Sequence, residues 1–400
     1  MPRADRRSAP EPVLRVRAGK ERPVLQGHPW VFSGALAGLD PGLEPGTVVT
    51  LQGADGAFLA RGYANPRCTI AVRVLTRTDV PVDDAWVRAR VDDALALRRA
   101  VLPPHTDAFR LVNGEGDGLP GVVADVYGRV VVLQCITAGA ARLRNAVVAA
   151  IGAALAPDGI FERSAGRARR EEGLADSVGV LCGTVPDDPV PIEENGLHFA
   201  VDVRAGQKTG FFLDQRDNRA AVRALAGGRR VLNAFGYTGG FSVAAACGGA
   251  HHVTTVDSSA PALALARANW ARNRLPETGA AWHDTDVFRF LRECAEPWDL
   301  LVLDPPALVK QRRDVDRGAR AYKDLNLWGL RRAAPGAFVL TFSCSQHVEA
   351  ELFVRIVRAA AQDAGRTVRV LQALGPGRDH PVLLGHPEAG YLKGLLLHVA

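Results

Sequence analysis

Residues 230–241 read Arg230-Val231-Leu232-Asn233-Ala234-Phe235-Gly236-Tyr237-Thr238-Gly239-Gly240-Phe241, and the fold turns on how this stretch is read. A strand-like run enters a glycine-containing turn, which opens into an apolar helical segment at 241–249. Glycine allows a tight turn and lets a ligand come close to the backbone. The turn is not GxGxxG, which weighs against a dinucleotide and leaves a Rossmann dehydrogenase as the weakest option. Downstream, strands at His252–Val256, Ala280–Trp282, Asp299–Leu303 and Ala337–Phe342 alternate with helices at 260–273, 286–294, 319–332 and 348–363. That alternation predicts an α/β fold with a doubly wound, mostly parallel sheet. Thr367–Leu374 and Leu392–Val399 have no helix between them and are expected to pair antiparallel at the sheet edge.

Upstream the character changes. Short strands at Val13–Val16, Thr47–Gln52, Phe58–Gly62 and Thr69–Leu75, separated by Pro and Gly clusters, predict a small barrel or half-barrel. A helix over 84–101 ends at Pro103-Pro104. Strands at Val122–Val126 and Val130–Leu133 and a helix at Ala140–Ala156 follow, then the proline-rich Val185–Pro191. The expected division is a flexible tail over 1–12, a barrel over 13–80, a central α/β domain over 81–187 and the doubly wound domain over 188–400.

The 400 residues suffice for several domains; 47% are apolar and 23% charged, an ordinary globular composition. The net charge of +6 permits an acidic partner without demanding one. With 44 arginines against 5 lysines, a single Arg-rich run must be discounted for compositional bias. No apolar stretch is read as approaching a bilayer span, and Met1–Arg22 has no secretory core. Six cysteines (Cys68, Cys135, Cys182, Cys247, Cys294, Cys344) show no CxxC spacing, which predicts no metal site and a reducing, cytoplasmic setting.

Asp257 ends the second strand of the doubly wound region, about 20 residues past the glycine turn, where an acid can accept from a ribose diol. Asp286, after the third strand, is suited to an adenine amino group. Either carboxylate alone reads equally well as a helix N-cap. Leu303-Asp304-Pro305-Pro306 leaves the fourth strand with a stiff exit that could wall a flat ring, or simply end the strand. Cys344 differs from the other five cysteines in lying in a Ser-Cys-Ser turn before a helix, where a thiol pKa is expected to fall. If strands four and five are neighbours, Asp304 and Cys344 face one crevice.

The segments VLNAFGYTGGFSVAAACGGA, VTTVDSS, HDTDVFRFL, LDPPALVK, YKDLN and TFSCS together resemble the ribosomal RNA large subunit methyltransferase I family. GQKTGFFLDQRDNR, NGEGDGLPGVVADVYG, GHPWVFSGAL and DHPV…PEAGYLKG extend the resemblance over nearly the whole chain. It implies a PUA-like RNA-binding barrel, a central α/β domain and a class I methyltransferase sheet. The implied reaction moves a methyl group from S-adenosyl-L-methionine to carbon 5 of a cytosine in 23S ribosomal RNA or a large-subunit precursor. The implied cofactor residues are Gln207, Lys208 and Arg216 in the covering segment, and Asn233, Phe235, Tyr237, Thr238 and Gly239 in the turn. Asp257 and Ser258 would hold the ribose, Asp286 the adenine, and Asp304, itself among the implied cofactor contacts, the target base beside a nucleophilic Cys344. A homodimer is an inference from the family alone.

Two basic stretches are candidate RNA contacts. Lys310, Arg312, Arg313, Arg320 and Lys323, with Arg317 among them, follow directly from the Asp304 loop. Arg163, Arg167, Arg169 and Arg170 are diluted by Glu171 and Glu172 and read equally as a solvated face. His28-Pro29-Trp30 is read as turn and core, and Asp379-His380-Pro381 as a structural loop. Two other readings stay open: a base amino-group methyltransferase needing no nucleophile, and an inactive RNA-binding module.

Overall fold

The structure, a computed structural model, describes residues 11–400. The expected tail over 1–12 lies outside these but for Glu11 and Pro12, which Thr50 engages through its hydroxyl and backbone N–H. The N-terminal barrel is built from β1 (Val13–Arg15), α1 (Arg22–Leu25), β2 (Trp30–Phe32), β3 (Thr47–Gln52), β4 (Phe58–Ala64) and β5 (Ile70–Thr76). Its sheet order is β1-β3-β4-β5-β2. Hydrogen bonds from Ala37 N to Arg15 O and from Arg17 N to Ala35 O join the two ends, so the sheet closes on itself.

The central region comprises α2 (Asp84–Val101), β6 (Ala108–Asn113), β7 (Val122–Tyr127), β8 (Val130–Cys135), α3 (Ala138–Leu155), β9 (Gly159–Ser164), α4 (Arg167–Glu171) and β10 (Ser177–Gly183). One face of the sheet β10-β9-β8-β7-β6 packs under α2 and α3 through Val87, Val91, Val147 and Ile151. Helix α3 corrects the expectation that no apolar stretch nears bilayer length: it has 18 residues and a mean hydropathy of 1.2. Its buried residues join this core. The other face shares a core with the hairpin β11 (Val190–Glu194) and β12 (Leu197–Val201), and with Val243 and Ala244 downstream. The proline-rich stretch at 185–191 therefore runs directly into a strand.

The C-terminal region follows the alternating pattern: α5 (Arg216–Leu225), β13 (Arg230–Ala234), α6 (Gly240–Cys247), β14 (His252–Asp257), α7 (Ala260–Arg272), β15 (Ala280–Asp284), α8 (Val287–Glu293), β16 (Trp298–Leu303), α9 (Val315–Arg332), β17 (Ala333–Ser343), α10 (Ala350–Ala364), β18 (Val368–Leu374) and β19 (Lys393–Val399). The order is β15-β14-β13-β16-β17-β19-β18, parallel through β17. The last two strands do pair antiparallel, but β19 is inserted beside β17 and leaves β18 at the edge. Period-two burial explains the double winding. Val231, Leu300 and Val302 face α5, α6 and α7, whereas Leu232, Leu301 and Leu303 face α8, α9 and α10. Fully burying each such side chain stabilises by about 1.5–3 kcal/mol.

Candidate active site

Register brings the carboxyl ends of three strands together. Ala234 lies beside Leu303, and Leu303 beside Thr341, so the loops after β13, β16 and β17 open at one crevice. Ser345 ties two of them: its hydroxyl accepts from Val309 N at 3.0 Å and meets the Tyr322 hydroxyl of α9 at 2.8 Å.

The turn after β13 is held in backbone conformations that side chains resist. Phe235 and Tyr237 have φ of 60° and 46°, and Gly239, which enters α6, has φ of 79°. Non-glycine residues in the left-handed region cost about 1–2 kcal/mol each and cluster where a ligand is clamped. A Cβ on Gly236 would come within 2.3 Å of Thr255 Cγ2, so that position admits no side chain without displacement. Asp257 fastens the turn to the next loop, accepting from Tyr237 N at 2.8 Å and Ser259 N at 2.9 Å. The Tyr237 hydroxyl accepts from Gln207 N at 2.7 Å, bringing the 207–215 segment down over the turn.

These loops enclose a cavity of about 380 Å³. Of the residues expected to meet the cofactor, Gln207, Lys208, Phe235, Tyr237, Thr238, Asp257, Ser258 and Asp304 line it, as does Cys344. Four do not. Asn233 and Gly239 sit beneath the turn, Asn233 donating to Ser242 Oγ at 2.8 Å. Asp286 is exposed and caps α8, its Oδ1 accepting from Arg289 N at 2.8 Å. Arg216 is buried and bonded at 2.8 Å to both Ala108 O and Asp379 Oδ2. Asp214, Gln215, Arg219 and Phe212 line the cavity as well, from a segment the sequence reading named without these side chains, and so does Leu392, read as the start of the last strand.

Electrostatics divide the acidic groups. Burial would raise Asp214, but Lys208, His380 and Tyr391 outweigh it and hold that carboxyl well below the usual range. Burial, reinforced by the charge of Asp214, raises Asp304 to about 7. Burial and then Asp304 push the Cys344 thiol up to about 11. This reverses the expectation of a lowered thiol: α10 begins only at Ala350, and Lys208, whose charge favours the thiolate, is already bonded to Asp214 at 2.6 Å.

The basic stretches also separate. Lys310, Arg312, Arg313 and Arg320 are exposed and make no ion pair among the described residues, whereas Lys323 pairs with Asp363 at 2.7 Å and Arg317 with Asp314. The second cluster is spent internally. Arg163 bonds Val203 O and Gly206 O, Arg169 is buried against Cys135 O, and Arg167 and Arg170 pair with Glu171 and Asp176. Trp30 is half-buried, donating from Nε1 to Glu115 at 2.8 Å.

The donor set fits a nucleoside bearing a sulfonium. Thr238 Oγ1, buried and unpaired, looks for a ligand partner, Asp257 offers carboxylate oxygens to a diol, and Phe235, Pro305 and Pro306 give flat apolar walls.

Residues 14–77 match the PUA-like domain family, and residues 165–328 match the S-adenosylmethionine-dependent methyltransferase family. A chain from Streptococcus mutans described as a SAM-dependent methyltransferase shares the fold, with a TM-score of 0.83, 24% identity, and coverage of 97% of this chain and 100% of that one. Fold and cavity thus define an S-adenosylmethionine-dependent methyltransferase carrying a PUA-like domain. Ribosomal RNA large subunit methyltransferase I of Alteromonas mediterranea is 41% identical over 96% of this chain and 98% of its own length. The protein of that name from Salmonella arizonae is 40% identical over 97% and 98%. The chain belongs to the ribosomal RNA large subunit methyltransferase I family and is an S-adenosylmethionine-dependent methyltransferase of ribosomal RNA.

Proposed function

We propose that the chain methylates carbon 5 of a cytosine in 23S ribosomal RNA through a transient bond between Cys344 and carbon 6 of the base. The observation that carries this reading is the convergence of Cys344 and a raised Asp304 in the cavity that also holds Asp257 and the Phe235–Gly240 turn. Bound S-adenosylmethionine would supply an electrophilic methyl group. Gln207, Tyr237, Thr238, Asp257 and Ser258 would hold it, and Asp286 and Arg216 would act only indirectly.

Carbon 5 of cytosine is a poor nucleophile until sulfur adds at carbon 6. A thiol raised to about 11 is neutral in the free protein, so its attack must be coupled to loss of its proton. Neutral Asp304 gives its proton to N3 as the sulfur–carbon bond forms, and the carboxylate so produced takes the thiol proton. One proton has then moved from sulfur to N3, and Asp304 ends as it began. Once carbon 5 is methylated, its proton leaves to a base, the 5,6 double bond re-forms and the carbon–sulfur bond breaks. The N3 proton returns to sulfur through Asp304.

Lys310, Arg312, Arg313 and Arg320, unpaired and next to the Asp304 loop, would take phosphates flanking the base. A flipped or single-stranded base is required, since the reacting groups lie inside a cavity. We divide the labour along the chain as barrel (13–80), central domain (81–187) and methyltransferase domain (188–400), working on ribosomal RNA in the cytoplasm. The neutral thiol is also what an amino-group methyltransferase with a bystander cysteine would have. Bisulfite mapping of 23S RNA from cells with and without the gene decides between them. One methylcytosine should vanish without the gene and stay absent when Cys344→Ser is supplied. Its persistence with Cys344→Ser would overturn the covalent mechanism.

A further inference from the structure

We infer that Asp214 reads the exocyclic amino group of the target base and thereby makes the site select cytosine over uracil. This rests on the carbon-5 reading above. Asp214 sits in the short turn Leu213–Gln215 ahead of α5, is 2% exposed and lines the cavity. Both of its side-chain donors fall on one oxygen. Lys208 Nζ and the Tyr391 hydroxyl each reach Oδ2 at 2.6 Å. Oδ1 is buried with no partner. A buried carboxylate oxygen without a donor is costly, and on a residue that lines the cavity it points to a ligand N–H or O–H as the missing partner.

The end of the cavity identifies the ligand group. The charge of Asp214 bears on Asp304 and on Cys344, whereas Tyr237, at the cofactor turn, feels Asp202 and Asp257 instead. Asp214 thus belongs with the reacting groups. Neutral Asp304 presents a donor and Asp214 Oδ1 an acceptor, and cytosine offers the complement, an acceptor at N3 beside a donor at its amino group. Uracil inverts both, setting an N–H against the Asp304 proton and a carbonyl oxygen against an ionised carboxylate. Two mismatched polar contacts in a closed site discriminate more strongly than shape alone.

The test uses the full chain and RNA oligomers spanning the methylated position, with cytidine or uridine as the target. Wild type should methylate the cytidine oligomer and discriminate strongly against uridine. Asp214→Asn should shrink the cytidine-to-uridine ratio of kcat/KM by about 10- to 100-fold. Calorimetric affinity for S-adenosylmethionine should stay within about twofold of wild type. An unchanged ratio overturns the inference, and so does a parallel fall in cofactor affinity, which would give Oδ1 to the cofactor. Should the Asn variant not fold, Asp214→Glu keeps the charge facing Lys208 while displacing the oxygens, and must show the same narrowing. Wild type producing no 5-methylcytosine defeats the carbon-5 reading itself. Wild type producing it while both variants keep full discrimination defeats only the role of Asp214.

Discussion

Asp304 and Cys344 titrate in directions set by their burial and by each other. Asp304 rises from 3.8 to about 7 because burial disfavours its charged form and, second to that, the ionised carboxylate of Asp214 lies beside it. Its neutral form is therefore what the fold favours. The stability this lends is full below the unfolded value near 3.8 and is lost as pH rises through about 7. Asp304→Asn cannot ionise, so between pH 5 and 8 the melting temperature of wild type should fall relative to that of the variant. A difference between the two proteins that stays constant over this range would contradict the raised value of Asp304. The same substitution should lower kcat by about 10²- to 10⁴-fold, because it removes the general acid proposed for N3. Wild-type activity should decline above about pH 7 as the acid form disappears. A pH–rate profile measured at saturating cofactor checks both statements.

Among the elements, those with a clean apolar period were the legible ones. Arg230–Ala234 and the helix over 84–101 fall where their patterns placed them, since each buries one unambiguous set of side chains. Strand β17 begins four residues earlier than read, at Ala333, because Pro335 and Gly336 look like a turn but lie at the register shift of an extended strand. The candidate site was partly legible for a related reason. Residues in strand-end loops announce themselves by chemistry and position, and eight of the expected cofactor residues do line the cavity. Long-range ion pairing leaves no local trace. Nothing near Arg216 in sequence signals Asp379, nor does anything near Asp214 signal Tyr391. Asp286 shows the limit of a carboxylate at a helix start, where capping and ligand binding share one signature. The exposed segment at the start of α9 carries a prediction of its own. Replacing Lys310, Arg312, Arg313 and Arg320 with alanine should weaken RNA binding and lower the slope of log affinity against log salt by about 3–4. Arg167→Gln and Arg170→Gln, whose partners are internal, should leave that slope unchanged in the same filter-binding series.

At the scale of the whole molecule, the barrel, central sheet and methyltransferase sheet are locked by few, dense contacts. Gly139, in the first turn of α3, lies so close to Tyr63 that a Cβ would come within 2.0 Å of its ring, and the Tyr63 hydroxyl bonds Pro120 O at 2.8 Å. Asp379 joins the other two regions, taking Arg216 and the Arg110 N–H on Oδ2 and His380 on Oδ1, while its carbonyl accepts from Arg98. Asp379→Ala would leave Arg216 buried and missing its closest carboxylate, a loss of about 3–5 kcal/mol, read as a lowered denaturation midpoint. A change under 1 kcal/mol would mean that the two regions are held by their shared apolar core alone. The proposed covalent chemistry would need this whole assembly, with RNA on the exposed basic segment and a base in the cavity. Its most direct test is denaturing gel electrophoresis of the full chain after incubation with S-adenosylmethionine and RNA carrying 5-fluorocytidine at the target, where no C5 proton can leave. A protein–RNA adduct that survives denaturation in wild type, and is absent from Cys344→Ala with cofactor binding intact, is the expected result. No adduct in wild type, or an equal adduct in Cys344→Ala, would contradict Cys344 as the nucleophile.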